Sequence, residues 1–205
     1  MAVGKTIGIV DDDPGLRDSL ALVLRFRDFE VLEFGSGEEL LASPALRRLD
    51  CMVLDLRMSG MGGLEIVETC KSRGISAPII VVTAFGSVGS ATRALKSGAF
   101  DFLEKPVHEE EMVRVVGEAL SRSGREASLR AERQQLEERL ATLSSRERQV
   151  LDAVLDGRHN REIAASLKLS VRTIEVYKAR VMEKVRVSRL AELIRLFVRL
   201  EVTTH

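Results

Sequence analysis

CMVLDLRM, residues 51–58, runs four apolar residues straight into a carboxylate. Cys51–Leu54 shows no alternation of polar and apolar positions, so a strand formed there is covered on both faces, with Asp55 at its carboxyl end. Working outward, IGIV at 7–10 leads into Asp11, Asp12 and Asp13, PIIVV at 78–82 leads into Thr83, and Phe100–Leu103 is followed closely by Lys105. Thr6–Val10, Phe29–Phe34, Cys51–Asp55, Ile79–Val82 and Phe100–Leu103 therefore read as strands. Helical spacing of apolar residues falls in Leu16–Phe26, Gly37–Ala42, Leu64–Ser72, Val88–Ser97 and Glu109–Leu120. Five strands alternating with five helices predict an α/β fold, a five-stranded parallel doubly wound sheet. Such a sheet does its chemistry in the crevice at the strands' carboxyl ends. Asp11, Asp12, Asp55, Thr83 and Lys105 all fall on that rim.

The chain has 205 residues, enough for two domains, and 45% of them are apolar against 30% charged, which excludes a disordered protein. No apolar run approaches the ~20 residues that span a bilayer, and the N-terminal apolar stretch is too short for a signal peptide. A cytoplasmic protein with no membrane partner is expected. Cys51 and Cys70 read as reduced packing residues. His108, His159 and His205 have no zinc-ligand spacing. Charge divides unevenly: residues 1–122 carry a net −5 and residues 143–205 a net +5. Nucleic-acid contact is therefore expected from the C-terminal part.

Residues 123–142 are rich in charge and helix formers. Leu129, Leu136 and Leu143 recur every seven residues, a thin coiled-coil seam, and a solvated linker helix is the simpler expectation. Gly124 is expected to break the chain from the preceding helix. Beyond it, Ser144 and Glu147 form a capping-box pattern opening Arg146–Leu155. Asn160 can cap Arg161–Leu167, and Ser170 can cap Val171–Val185 after a tight turn through Lys168 and Leu169. A last helix covers about Ser188–Leu200. The expected division is 1–122, a linker over 123–142, and an all-α four-helix domain over 143–205.

Three carboxylates meeting in one crevice repel unless a cation sits among them, and a hard divalent ion with oxygen ligands, most simply Mg2+, satisfies them. Lys105 adds a positive charge, and Thr83 can donate to a phosphoryl oxygen. The set suits a carboxylate nucleophile attacking phosphorus.

These residues, IVDDD at 9–13, LDLRM at 54–58, VTA at 82–84 and EKP at 104–106, resemble the signature positions of bacterial response-regulator receiver domains. The resemblance implies Asp55 as phospho-acceptor, Asp12 as direct Mg2+ ligand with Asp55 and the Arg57 carbonyl, and Asp11 acting through water. It implies Thr83 and Phe102 as a switch pair, Lys105 as the phosphoryl contact, and a cis Lys105–Pro106 bond. Ser59 stands where relatives commonly have proline, which is expected to loosen that loop. Asp13 is expected to be solvated or to cap a helix. A haloacid-dehalogenase-like phosphatase would need a second Asp two residues after the nucleophile, where this chain has Arg57.

On Val171–Val185, Ile174, Val181 and Val185 share one face, flanked by Tyr177, while Val176 is an apolar residue on the polar face. A valine there suits a thymine methyl, and Ala179 allows close approach to a groove. LSSRERQVL at 143–151, NREIA at 160–164 and the stretch 169–184 resemble the LuxR-type helix-turn-helix, and the whole chain resembles FixJ-like response regulators. That resemblance implies Glu175, Val176 and Ala179 as base-facing residues, and Arg172, Thr173, Lys178 and Lys184 as phosphate contacts. Tyr177 stands where many relatives have His. Relatives with Lys in place of Glu175 read other sequences. In the last helix, Leu190, Leu193, Ile194, Leu196, Phe197 and Leu200 make a stripe wider than a small domain buries, part core and part dimer face.

The implied function is a two-component response regulator. Its implied partners are a sensor histidine kinase, double-stranded promoter DNA, a second copy of the chain on phosphorylation, and RNA polymerase as a further allowed contact. It is not expected to be an enzyme beyond its own phosphorylation and slow dephosphorylation. The alternatives are a phosphorylation-independent DNA binder and an aspartyl-phosphate phosphatase or phosphate sink.

Overall fold

Five strands, β1 (Thr6–Val10), β2 (Glu30–Phe34), β3 (Cys51–Asp55), β4 (Ile79–Thr83) and β5 (Asp101–Glu104), pair in parallel in the order β2-β1-β3-β4-β5. The structure is a computed structural model and describes residues 4–84 and 88–200, the Val88 side chain excepted. His205 lies outside the described residues. The chain divides into two units, Met1–Arg125 and Glu126–His205.

Helices α1 (Pro14–Arg25), α2 (Gly37–Ala42), α3 (Gly63–Ser72), α4 (Val88–Ser97) and the first part of α5 (Glu109–Ala141) belong to the first unit. The sheet's two faces feed separate cores. Cys51 and Val53 of β3 pack with Leu20, Leu24 of α1 and Met112, Val115 and Ala119 of α5. Met52 and Leu54 pack with Leu40 of α2, Ile66 and Val67 of α3 and Ala94 of α4. Each of the four apolar positions of the strand meets a core, which is why the run has no polar interruption. Cys51 and Cys70 are buried free thiols in different cores.

Gly63, which opens α3, is required by close approach. A Cβ there would lie 2.4 Å from the Asp55 carbonyl oxygen and 2.8 Å from the Leu56 Cα. The glycine lets α3 begin directly behind the strand that carries Asp55. A 3-10 turn over Pro44–Arg48, capped by Ser43, was not foreseen from periodicity. It is too short to show a helical stripe.

In the second unit, α6 (Ser145–Leu155), α7 (Asn160–Leu167), α8 (Val171–Val185) and α9 (Leu190–Leu200) follow the end of α5. The expected break at Gly124 does not occur, since α5 runs through it. A glycine inside a helix costs only about 1 kcal/mol, and the good helix formers around it offset that. Nor is the stretch expected as a solvated linker uniformly solvated. Leu136 and Leu140 are buried with Leu151, Val181, Val185, Leu193, Phe197 and Leu200. Arg139 donates to the Val185 carbonyl and Arg148 to the Leu140 carbonyl. A second core joins Val150 and Val154 of α6, Ile163 and Ala164 of α7 and Ile174 of α8. Between α7 and α8, Lys168 adopts a left-handed conformation, φ 57°, and makes the tight turn. The α7 N-cap is His159, one residue before the expected Asn160. Among the described residues no helix is long and apolar enough to cross a membrane.

Candidate functional site

The rim of the sheet gathers Asp11, Asp12, Asp55, Thr83 and Lys105. In parallel register Val10 lies beside Leu54 and Asp55 beside Val82, so β1, β3 and β4 end side by side. Asp11 and Asp55 are buried and Asp12 is exposed. One carboxylate oxygen from each lies within 4.8 Å of the others. The Lys105 Nζ bridges two of them, 2.9 Å from Asp11 Oδ2 and 3.1 Å from Asp55 Oδ2. The Lys105–Pro106 peptide is cis, as the resemblance implied.

Burial pushes the Asp55 carboxyl above its usual range, the Lys105 hydrogen bond and charge pull it down, and the Asp11 charge adds to the rise. Burial by itself would depress Lys105, but its hydrogen bonds to Asp11 and Asp55 outweigh that and raise it. The Asp55 Oδ1 is buried and, among the described residues, accepts no hydrogen bond. A buried carboxylate oxygen without a donor is costly, and an all-oxygen set with two further acids fits a hard divalent cation.

Several supports were not legible as site residues. Arg17 Nη1 donates to the Asp11 carbonyl at 2.7 Å, and Asp11 Oδ1 accepts the Asp13 N–H. Asp13, by contrast, caps α1 as one of its two expected roles, accepting from the Gly15 and Leu16 N–H groups. The loop expected to be loosened by Ser59 is instead tied: the Ser59 N–H donates to Asp12 Oδ2 at 2.7 Å. Thr83 is buried at the end of β4, its carbonyl accepting from the Lys105 N–H at 2.8 Å. Phe102 is half-buried against the core on the α3–α4 face. Arg57 is exposed just past β3.

A second surface lies on α8. Ser170 caps it, accepting from the Thr173 N–H, and hydrogen-bonds the Thr173 hydroxyl. Arg172, Glu175, Val176, Ala179 and Arg180 are exposed together, with Val176 46% exposed. Ile174, Val181 and Val185 are buried on the opposite face. Lys178 is half-buried and bonds Asn160 Oδ1 of α7 at 3.0 Å. Lys184 points elsewhere. Its ammonium meets the buried Glu147 carboxylate at 2.6 Å and the Thr142 carbonyl at 3.1 Å. It thus holds α8 against the start of α6, which departs from the sequence expectation of a phosphate contact. On α9, Leu193, Phe197 and Leu200 are core, whereas Leu190, Ile194 and Val198, four residues apart, are exposed.

Comparison with known proteins finds a match in each unit. Residues 7–117 match the response regulator receiver domain, and residues 141–197 match the bacterial regulatory proteins of the luxR family. The chain is 38% identical to the transcriptional regulatory protein FixJ of Azorhizobium caulinodans, over 93% of this chain and 90% of that one. It is 37% identical to the C4-dicarboxylate transport transcriptional regulatory protein DctR of Rhodobacter capsulatus, over 93% and 98%. Among solved structures it resembles the response regulator StyR, with TM-score 0.81 and 33% identity over 97% of this chain and 100% of that chain. It also resembles full-length FixJ from B. japonicum, with TM-score 0.59 and 38% identity over 96% and 97%. A receiver rim and a helix-turn-helix on one polypeptide, matched nearly end to end by such regulators, place this chain in the FixJ-like family of two-component response regulators, which act as transcription factors.

Proposed function

We propose that Asp55 accepts a phosphoryl group from the phosphohistidine of a sensor kinase and that this controls binding of α8 to promoter DNA. The Lys105 bridge between Asp55 and Asp11 is the observation that carries this reading, because it sets a cation against the nucleophile. Asp11, Asp12, Asp55 and the Arg57 carbonyl would hold Mg2+, which supplies positive charge to the transferring phosphoryl oxygens. In the transfer an Asp55 oxygen forms the P–O bond as the P–N bond breaks, and the imidazole leaves with the electron pair. Lys105 pairs with the added negative charge, and the Thr83 hydroxyl donates to a phosphoryl oxygen. Drawing Thr83 inward leaves room for Phe102 to turn in, which reshapes the surface formed by α4, β5 and the start of α5. That surface pairs with a second copy and raises the effective concentration of the paired DNA readers.

In this reading residues 1–122 accept phosphate, 123–142 join the halves and 143–205 read DNA in the cytoplasm. Glu175, Val176 and Ala179 face bases, and Arg172, Thr173 and Lys178 contact phosphates. Lys184 is left out because its ammonium is engaged by Glu147 and Thr142. The exposed Leu190, Ile194 and Val198 suit a two-fold contact between DNA-bound copies, and RNA polymerase is the downstream partner. The acyl phosphate is lost by slow self-hydrolysis, with no dedicated phosphatase activity.

The test is promoter-DNA affinity of the full chain with and without acetyl phosphate and Mg2+, for wild type and Asp55→Asn. The phosphodonor should tighten wild-type binding and leave the variant unchanged. Equal response of both proteins would overturn the reading.

A further inference from the structure

The acceptor loop after β3 is strung between two carboxylates from other parts of the first unit. The Ser59 N–H donates to Asp12 Oδ2 at 2.7 Å, and the Met61 N–H donates to Glu38 Oε1 of α2 at 2.9 Å. Gly60 between them has φ +86°, and a Cβ there would sit 2.8 Å from Glu38 Oε1. Hydrogen bonds from Glu38's own backbone N–H and from that of Met61 hold its carboxyl below the usual range. The contact at Ser59 is one that proline cannot make, because proline has no backbone N–H.

We propose that Ser59 is a positioning residue for the divalent-cation site, its backbone N–H fixing the Asp12 carboxylate beside Asp11 and Asp55 before a cation binds. The inference rests on the reading of Asp12 as a cation ligand given above. Asp12 is exposed, so without a tether its side chain would sample rotamers that carry it away from the other two acids. The N–H bond removes that freedom in advance, and ligands held in place bind more tightly than ligands that must be ordered on binding. An ionised carboxylate has about four lone-pair sites, so one donated hydrogen leaves room for a cation. Proline at the same place would leave the loop stiff yet unattached to Asp12.

The experiment is an NMR titration of the full chain with MgCl2 in the absence of any phosphodonor, for wild type, Ser59→Ala and Ser59→Pro. Alanine keeps the N–H and should bind Mg2+ within about twofold of wild type, whereas proline should weaken binding about fivefold or more, the worth of one charge-assisted hydrogen bond at an exposed site. If Ser59→Pro does not fold, an amide-to-ester replacement at residue 59 deletes the N–H without constraining φ and should show the same loss. Unchanged affinity on deleting the N–H would overturn the inference, as would an equal loss in Ser59→Ala. Absence of Mg2+ binding by the wild type would overturn both this inference and the cation site itself.

Discussion

Glu147 and Lys184 form a 2.6 Å ion pair in which the carboxylate is buried and the ammonium is partly exposed. The same carboxylate accepts the Ser144 N–H at 2.8 Å, so one side chain serves both as capping-box partner for α6 and as anchor for α8. The Lys184 hydrogen bond, then that of Ser144, brings the Glu147 carboxyl down to about 2 from 4.5. A depressed carboxylate stabilises the fold above its unfolded value and loses that contribution as pH falls through its folded value. The second unit should therefore lose stability between pH 4.5 and about 2. Glu147→Gln should cost about 1 to 3 kcal/mol at neutral pH and flatten this acid dependence. Thermal melts across that pH range, followed by circular dichroism, check both effects.

Lys105→Ala removes the cation between Asp11 and Asp55. The two acids then repel without relief, and the rate of phosphorylation by acetyl phosphate should fall about 100-fold, as when one preorganised stabilising group is lost. Phosphate-affinity gel electrophoresis over a time course measures it, and a wild-type rate would exclude the assigned role.

Gly63→Ala should destabilise the first unit by about 1 to 3 kcal/mol through overpacking, since the added carbon would meet the Asp55 carbonyl at 2.4 Å. Urea unfolding should show the loss. In the proposed function phosphorylation should slow as well, because the same backbone carries Asp55.

Two substitutions on α8 should behave differently. Lys178→Ala should weaken binding to all sequences alike and reduce the slope of affinity against salt by about one counterion. Val176→Ala should instead alter preference at a single base position, by about 1 kcal/mol or more. Fluorescence anisotropy with an operator series at several salt concentrations separates the two patterns.

Ile194→Glu places a charge in the exposed stripe of α9 while leaving Leu193 and Phe197 in the core. Affinity for an isolated half-site should stay unchanged and cooperative binding to paired half-sites should be lost. Undiminished cooperativity would count against a dimer contact at α9.

The rim was legible because strand ends are visible in residue type: an apolar run stops and a carboxylate or lysine follows. The helix-turn-helix domain was legible through the resemblance of 143–151, 160–164 and 169–184 to LuxR-type sequences, to which Val176, an apolar residue on a polar face, added only a weak signal. The Ser59 N–H was not, since every residue but proline has one and only folding shows where it points. The Lys184–Glu147 pair is not legible in sequence because the two residues lie 37 positions apart and only folding brings them together. Leu136 read as part of a sparse seam because the surface that covers it comes from helices later in the chain.

The two-sided burial of β3 also makes the site a matter of parity. Cys51, Val53 and Asp55 share one phase of the pleat and Met52 and Leu54 the other. Deleting one residue from this strand would keep its composition nearly intact yet exchange the two faces. Asp55 would be carried away from Lys105 while the core still found apolar side chains to bury. Lineages of such proteins should therefore accept apolar substitutions at the four positions before Asp55 and almost no change in their number.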